Sequence, residues 1–190
     1  VHRFEDLTVK PAKAVLQETW EVRVFSLTGG AQPKWIFDLT STQTCAGSSP
    51  LILPQYRYGG LGVRGNRAWD HVADNPTRFL TANGVSDRQQ AHATRARWCY
   101  LGGQVEGTQA GLAILGHPNN FRAPQPIRVH PKEPFLNFAP QQFGDMAIQP
   151  NRPYVSRYRF VTLDGAPNSA ELARIWEDFA NPPQVNTIEK

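Results

Sequence analysis

Apolar and polar positions alternate along much of this chain, the two-residue period of strands that cover one face and wet the other. Trp20, Val22 and Val24 alternate with Glu21, Arg23 and Phe25, which predicts a half-buried strand. Thr28-Gly29-Gly30 turns the chain, and a second strand through Trp35, Phe37 and Leu39 closes a hairpin with a long loop. Further strands are predicted from Arg97 to Leu101 and, short and buried, from Gly111 to Leu115. From Val155 to Leu163, Tyr158 and Phe160 share one face while Arg157 and Arg159 share the other. Residues 41 to 55 are polar and read as a loop, and residues 65 to 95 read as a long surface excursion of the kind that is usually functional or mobile. Prolines stud residues 117 to 134, which predicts irregular or polyproline-like backbone there.

The period changes once, near the end. Leu172, Ile175, Trp176 and Phe179 fall on one helical stripe. Asn168 or Ser169 caps it, Glu171 stands at the capping-box position, and Asn181-Pro182-Pro183 ends it. The prediction is one mainly β domain over residues 1–190, an antiparallel β-sandwich with a single packing helix at 168–181.

Composition narrows the picture. The chain has 190 residues, 40% hydrophobic and 19% charged, which suits one globular core and argues against disorder. No apolar run approaches the roughly 20 residues that span a bilayer. The net charge is +4, and most of the basic residues are arginines scattered along the chain. Without a Lys/Arg-rich run, nucleic acid is not the expected partner. Two cysteines, Cys45 and Cys99, stand far apart and form no CxxC pair. Two buried thiols and a disulfide are both open readings.

Three stretches could carry chemistry. Tyr56-Arg-Tyr-Gly-Gly-Leu-Gly-Val-Arg64 sets three glycines in a run that otherwise reads as a strand. Glycines there mark a bulge or a close backbone approach, and Arg64 could hold an anionic or hydroxylated ligand. A tight glycine crossing in the sandwich core explains the same pattern. The stretch from Gly116 to His130 brings His117, His130, Arg122, Arg128, Asn119 and Asn120 into one proline-stiffened loop. His117 could move a proton near neutral pH, and Arg128 and Asn120 could fork-bond hydroxyls or a carboxylate. Equally, His117 and Asn120 could cap their own backbone. Trp69-Asp70-His71 offers an aromatic platform for a sugar ring, or an indole folded into the body. Arg97 and Cys99, or Trp98 and Tyr100, could line a site or pack the core. The five histidines show no HxH or HxxxH spacing, no metal set is predicted, and no phosphate loop, nucleophile elbow or dinucleotide fingerprint names a cofactor.

The motifs also agree, in order, with a known family. They are Phe37-Asp-Leu39 with Ser41-Thr-Gln-Thr-Cys45, then Tyr58-Gly-Gly-Leu-Gly-Val-Arg64, then Ala96-Arg-Trp-Cys99. Gly111-Leu-Ala-Ile-Leu-Gly-His-Pro118 with Asn120 and Pro126 follows, then Ser156-Arg-Tyr-Arg-Phe160 with Asp164-Gly165, and Trp176. From about Trp20 to Pro183 the chain resembles the PmoA-like family of bacterial proteins, which carries a methane-oxygenase label although no membrane helix or copper set is visible here. The resemblance implies a supersandwich of the galactose-mutarotase-like type, a sugar or glycan ligand, and a periplasmic or extracellular location. It also implies that the chain is the C-terminal part of a longer protein, since members carry an N-terminal His-Pro-His-His-Arg-type motif. Tyr100 stands where many members have an acidic residue.

The expected site is a cleft between the 56–64 strand and the 116–130 loop. His117 would transfer a proton, and Tyr58, Arg64, Trp69, Arg97, Asn120, Arg128 and His130 would hold the sugar or sugar derivative. The alternative is a non-catalytic binding or structural subunit that docks against a missing N-terminal part or a partner.

Overall fold

The computed structural model describes residues 1–25, 35–69 and 77–183. In chain order the strands begin with β1 (His2–Asp6), β2 (Lys13–Phe25), β3 (Ile36–Cys45), β4 (Leu51–Leu53), β5 (Leu61–Arg64) and β6 (Arg78–Thr81). A short helix α1 (Arg88–Ala91) precedes β7 (Trp98–Val105), β8 (Thr108–Gly116), β9 (Ile127–Val129), β10 (Phe135–Phe138), β11 (Met146–Ile148) and β12 (Tyr154–Asp164). Helix α2 (Ser169–Ala180) closes the described chain.

Seven strands form one antiparallel sheet in the order β1-β2-β3-β12-β8-β7-β6. Alternation sorts its side chains between two layers. Leu39, Cys99, Leu101, Ile114, Tyr158 and Phe160 point one way, onto Ile127, Val129, Leu136 and Phe138 of the three-stranded sheet β5-β10-β9. Trp98, Tyr100, Ala113, Leu115, Val161 and Leu163 point the other way, onto Leu172, Ile175 and Phe179 of α2. A two-stranded ribbon, β4 with β11, packs with Leu16 and Cys45 in a smaller cluster. The predicted mainly β, antiparallel architecture with one C-terminal packing helix is therefore what the chain adopts.

Helix α2 starts where the sequence places it. The Asn168 side-chain oxygen accepts from the Ala170 and Glu171 amides at 3.0 and 3.1 Å, satisfying two of the helix's first free donors. Trp176 then anchors the helix by donating its indole N–H to the Gly116 carbonyl at 2.9 Å. No helix among the described residues is long and apolar enough to cross a membrane.

Four local expectations change. The glycine-rich run is strand only from Leu61 to Arg64, because Gly59 and Gly60 take positive φ of +122° and +70° and turn the chain beforehand. The polar stretch after residue 40 is not loop: Ser41–Cys45 continue β3, and Leu51–Leu53 form β4. Thr40, Thr42 and Thr44 suit a pleated backbone, and the intervening Ser41 and Gln43 face a polar space described below. The excursion over 65–95 includes β6 and α1, and the loop over 117–134 includes β9. Thr28-Gly29-Gly30, Asp70 and His71 lie outside the described residues. Cys45 and Cys99 are both free and buried.

The half-burial predicted for the stretch from Trp20 to Phe25 is not found; burial on this face of β2 falls earlier in the strand. Leu16 and Glu18 are buried, but Trp20, Val22 and Val24 on the same face are 49, 55 and 59% exposed. Apart from the His2 ring against Trp20, the row lies largely open among the described residues.

Candidate functional site

Where the layers separate, a cleft of about 360 Å³ opens. Its floor is the inner face of β2, β3 and β12, which presents Glu18, Trp20, Ser41, Gln43 and Tyr154. Its far wall is the Gly59-Gly60 turn with Pro140 and Gln141. The turn can lie this close only because it is glycine. A Cβ on Gly60 would run into the Phe138 carbonyl oxygen and stand 2.8 Å from Pro140 Cδ.

Glu18 is the centre of the cleft's chemistry. It accepts from the Ser41 hydroxyl at 2.6 Å and the Gln43 amide at 3.0 Å, both through Oε1. Its other oxygen faces His2 Nδ1 at 3.5 Å, and the His2 ring meets the Trp20 indole edge-on at 4.8 Å. Burial opposes ionisation of Glu18, but the hydrogen bonds from Gln43 and Ser41, with the His2 attraction, outweigh it and hold the carboxyl below its ordinary range. Glu18 is therefore a carboxylate at neutral pH, poised to accept from a hydroxyl or to take a proton. Tyr154 also lines the cleft; its hydroxyl is buried, and burial pushes its pKa up against the smaller opposing effect of Gln125 and Ser156, so it remains a neutral donor. A carboxylate, an amide, hydroxyls and an exposed indole face in one concavity suit a polyhydroxylated ring with one apolar side. Among the described residues no three His, Cys, Asp or Glu side chains group as metal ligands.

The residues expected to form one site stand in three places. Tyr58, Arg64, Arg128 and His130 gather on the outer surface of the three-stranded sheet, behind the Gly59-Gly60 wall. There the Arg128 guanidinium lies under the Tyr58 ring at 5.3 Å, and Arg64 bonds Glu133 at 2.9 Å. His130 Nδ1 accepts from the Glu133 amide at 2.9 Å.

His117 and Arg97 stand on the opposite face of the main sheet, beside α2. The His117 ring meets Phe179 edge-on at 5.0 Å, and its Nδ1 accepts from the Asn119 amide at 3.1 Å. Burial, with repulsion from Arg157, lowers its pKa against a smaller opposing pull from Asp38. Arg97 lies over Trp176 at 4.8 Å and reaches Glu177 at 3.6 Å.

Asn120 and Trp69 hold the framework. Asn120 is buried and clamps the Arg157 backbone, donating to its carbonyl and accepting from its amide, each at 2.8 Å. Trp69 is buried and donates to the Gln104 carbonyl at 2.8 Å. Its ring fills the space that Cβ atoms on Gly65 and Gly103 would need.

Sequence reasoning passed over Glu18, His2, Gln43 and Tyr154. One signal was present for Glu18. It occupies the inward phase of Leu16-Glu18-Trp20, and a charged residue in the apolar register of a strand needs partners there. His2 carries no such mark, since only the pairing of β1 with β2 brings it beside Glu18.

No curated protein and no solved structure matches the chain. A family model, described as a family of unknown function (DUF6807), matches residues 3–177, which includes all but the first residue of β1, strands β2 to β12 and most of α2. The chain therefore belongs to the DUF6807 family.

Proposed function

We propose that this protein binds a sugar or sugar derivative in the cleft between the main sheet and the Gly59-Gly60 turn. The observation that carries this reading is the Glu18 carboxylate, buried yet ionised, fixed by Ser41 and Gln43 beside the exposed Trp20 ring. Carboxylate and amide would bond vicinal hydroxyls, and the indole would cover the ring's apolar face. The resemblance to PmoA-like proteins, and through them to galactose-mutarotase-like sandwiches, supports the same ligand class and a periplasmic or extracellular setting. If the protein turns its ligand over, the Glu18–His2 pair is the proton-transfer machinery within the cleft. His117 could serve only a ligand bound beside α2.

The test is calorimetric titration with a panel of neutral and acidic monosaccharides and short glycans. The reading predicts saturable binding by at least one of them, lost in Trp20→Ala. Heat signals no larger than dilution across the panel would remove it.

One observation favours a second reading, a binding or structural subunit of a larger assembly. The apolar row Trp20, Val22 and Val24 is largely exposed among the described residues, and contiguous exposed apolar patches mark interaction sites. Light scattering on the protein in its native extract fraction separates the readings. A monomeric species would count against the subunit role.

A further inference from the structure

The outer surface of the three-stranded sheet holds a second group of polar side chains, separate from the cleft. Arg128 on β9 pairs in register with Asn137 on β10. Both are polar and almost wholly enclosed, 8 and 3% exposed. Each carries one buried atom without a hydrogen-bond partner: the Nε donor of Arg128 and the Oδ1 acceptor of Asn137. The Asn137 amide nitrogen is already committed to the Gly59 carbonyl at 2.7 Å.

The charge around Arg128 is one-sided. Its guanidinium touches His92 at 3.1 Å and the Tyr58 ring, and no carboxylate among the described residues lies within ion-pair distance of it. Arg57 also lies over the Tyr58 ring, 5.5 Å from its centre. Arg64, Arg88 and His130 complete the surround. Among the described residues, Glu133 is the acidic side chain that acts on His130 here, and it is bonded to Arg64. Arg88 donates from Nη1 to the His130 and Glu133 carbonyls at 2.8 and 3.0 Å, which shapes the turn and adds a further cation.

A buried guanidinium is expensive unless an anion balances it. Among the described residues, cations and an aromatic cover stand where that anion would be. We propose that Arg128, with His92 and Asn137, forms a binding subsite for a small oxyanion, a carboxylate or phosphate group carried by a hydroxylated molecule. The oxyanion would accept from Arg128 Nε, and a neighbouring hydroxyl would donate to Asn137 Oδ1. Tyr58 is the cover that must shift to admit it, since its ring lies over the guanidinium and against Phe135 at 5.9 Å. The Phe135 ring and the Asn137 amide flank the exposed Gly62, at 3.0 and 3.4 Å from where a Cβ on it would stand, so Phe135 bounds the approach together with Tyr58.

The experiment is a titration of the labelled wild-type protein followed by the Arg128 Nε–H resonance, with sodium phosphate, galacturonate and galactose as probes. The subsite predicts a saturable shift with phosphate or galacturonate and none with galactose. Whichever of the two anions binds more tightly identifies the group as phosphate or carboxylate. Arg128→Gln should weaken that anion at least tenfold, and Tyr58→Phe, which keeps the ring, should not. Because Arg128→Gln could unfold the sheet, the wild-type resonance is decisive by itself. An Arg128 signal unmoved by both anions, or moved equally by galactose, overturns the proposal.

Discussion

Replacing Glu18 with Gln isolates the interaction on which the cleft depends. The substitution keeps shape but removes the charge that makes the bonds from Ser41 and Gln43 strong. Hydrogen bonds to a charged group contribute about 1.5–3 kcal/mol and neutral ones about 0.5–1.5. Two such bonds weakened, with the new amide facing at least one donor, give a loss of about 1–3 kcal/mol at neutral pH. The pH dependence supplies an internal control. Because the folded-state pKa of Glu18 is depressed below its ordinary 4.5, its contribution is fully present above that value. It disappears as pH falls through the folded value, where wild-type Glu18 is itself protonated. Urea unfolding followed by tryptophan fluorescence, run for both proteins at neutral pH and at about pH 3, measures the gap directly. The gap should narrow by more than half at the acidic end. An equal gap at both pH values, or a Gln variant as stable as wild type at neutral pH, would refute the account of a buried, hydrogen-bonded carboxylate.

Gly60→Ala should cost about 1–3 kcal/mol for its left-handed backbone, with the collision at the Phe138 carbonyl adding to it, and thermal unfolding would show the loss. Asn120→Ala should destabilise by about 1–3 kcal/mol by leaving the Arg157 amide without a partner, measurable as faster hydrogen exchange at that amide. His92, His117 and His130 all have pKa values lowered chiefly by burial, so the unfolded chain binds more protons than the folded one as pH drops below about 6.5. The melting temperature should therefore fall between pH 7.5 and 5.5, and the slope should lessen in His92→Gln and His130→Gln.

What could be read from the sequence was whatever one element decides alone. β12 and α2 carry unbroken periods of two and 3.6, so their existence and their buried faces follow from spacing. The β3 continuation was hidden because its inward side chains at Ser41 and Gln43 are polar. They look like a loop until the partner that needs them, Glu18 on the next strand, is in place. The 56–64 motif does bound the cleft, yet through the backbone of Gly59 and Gly60 instead of through Arg64. The 116–130 stretch divides at its prolines. Its first part closes onto β12 and α2, and its last becomes β9 beside β10, which sends His117 and Arg128 to opposite sides of the molecule. Pairing over such distances along the chain is set by tertiary packing, which local spacing does not record.

The cleft's role is tested most directly by following the Trp20 indole N–H resonance while a sugar found by calorimetry is added to wild type and to Glu18→Gln. The account predicts a saturable shift of Trp20 in the wild type and binding weakened about tenfold or more in the variant, from loss of a charge-assisted hydrogen bond. Binding that leaves Trp20 unmoved, or that Glu18→Gln does not weaken, would place the ligand elsewhere and contradict it.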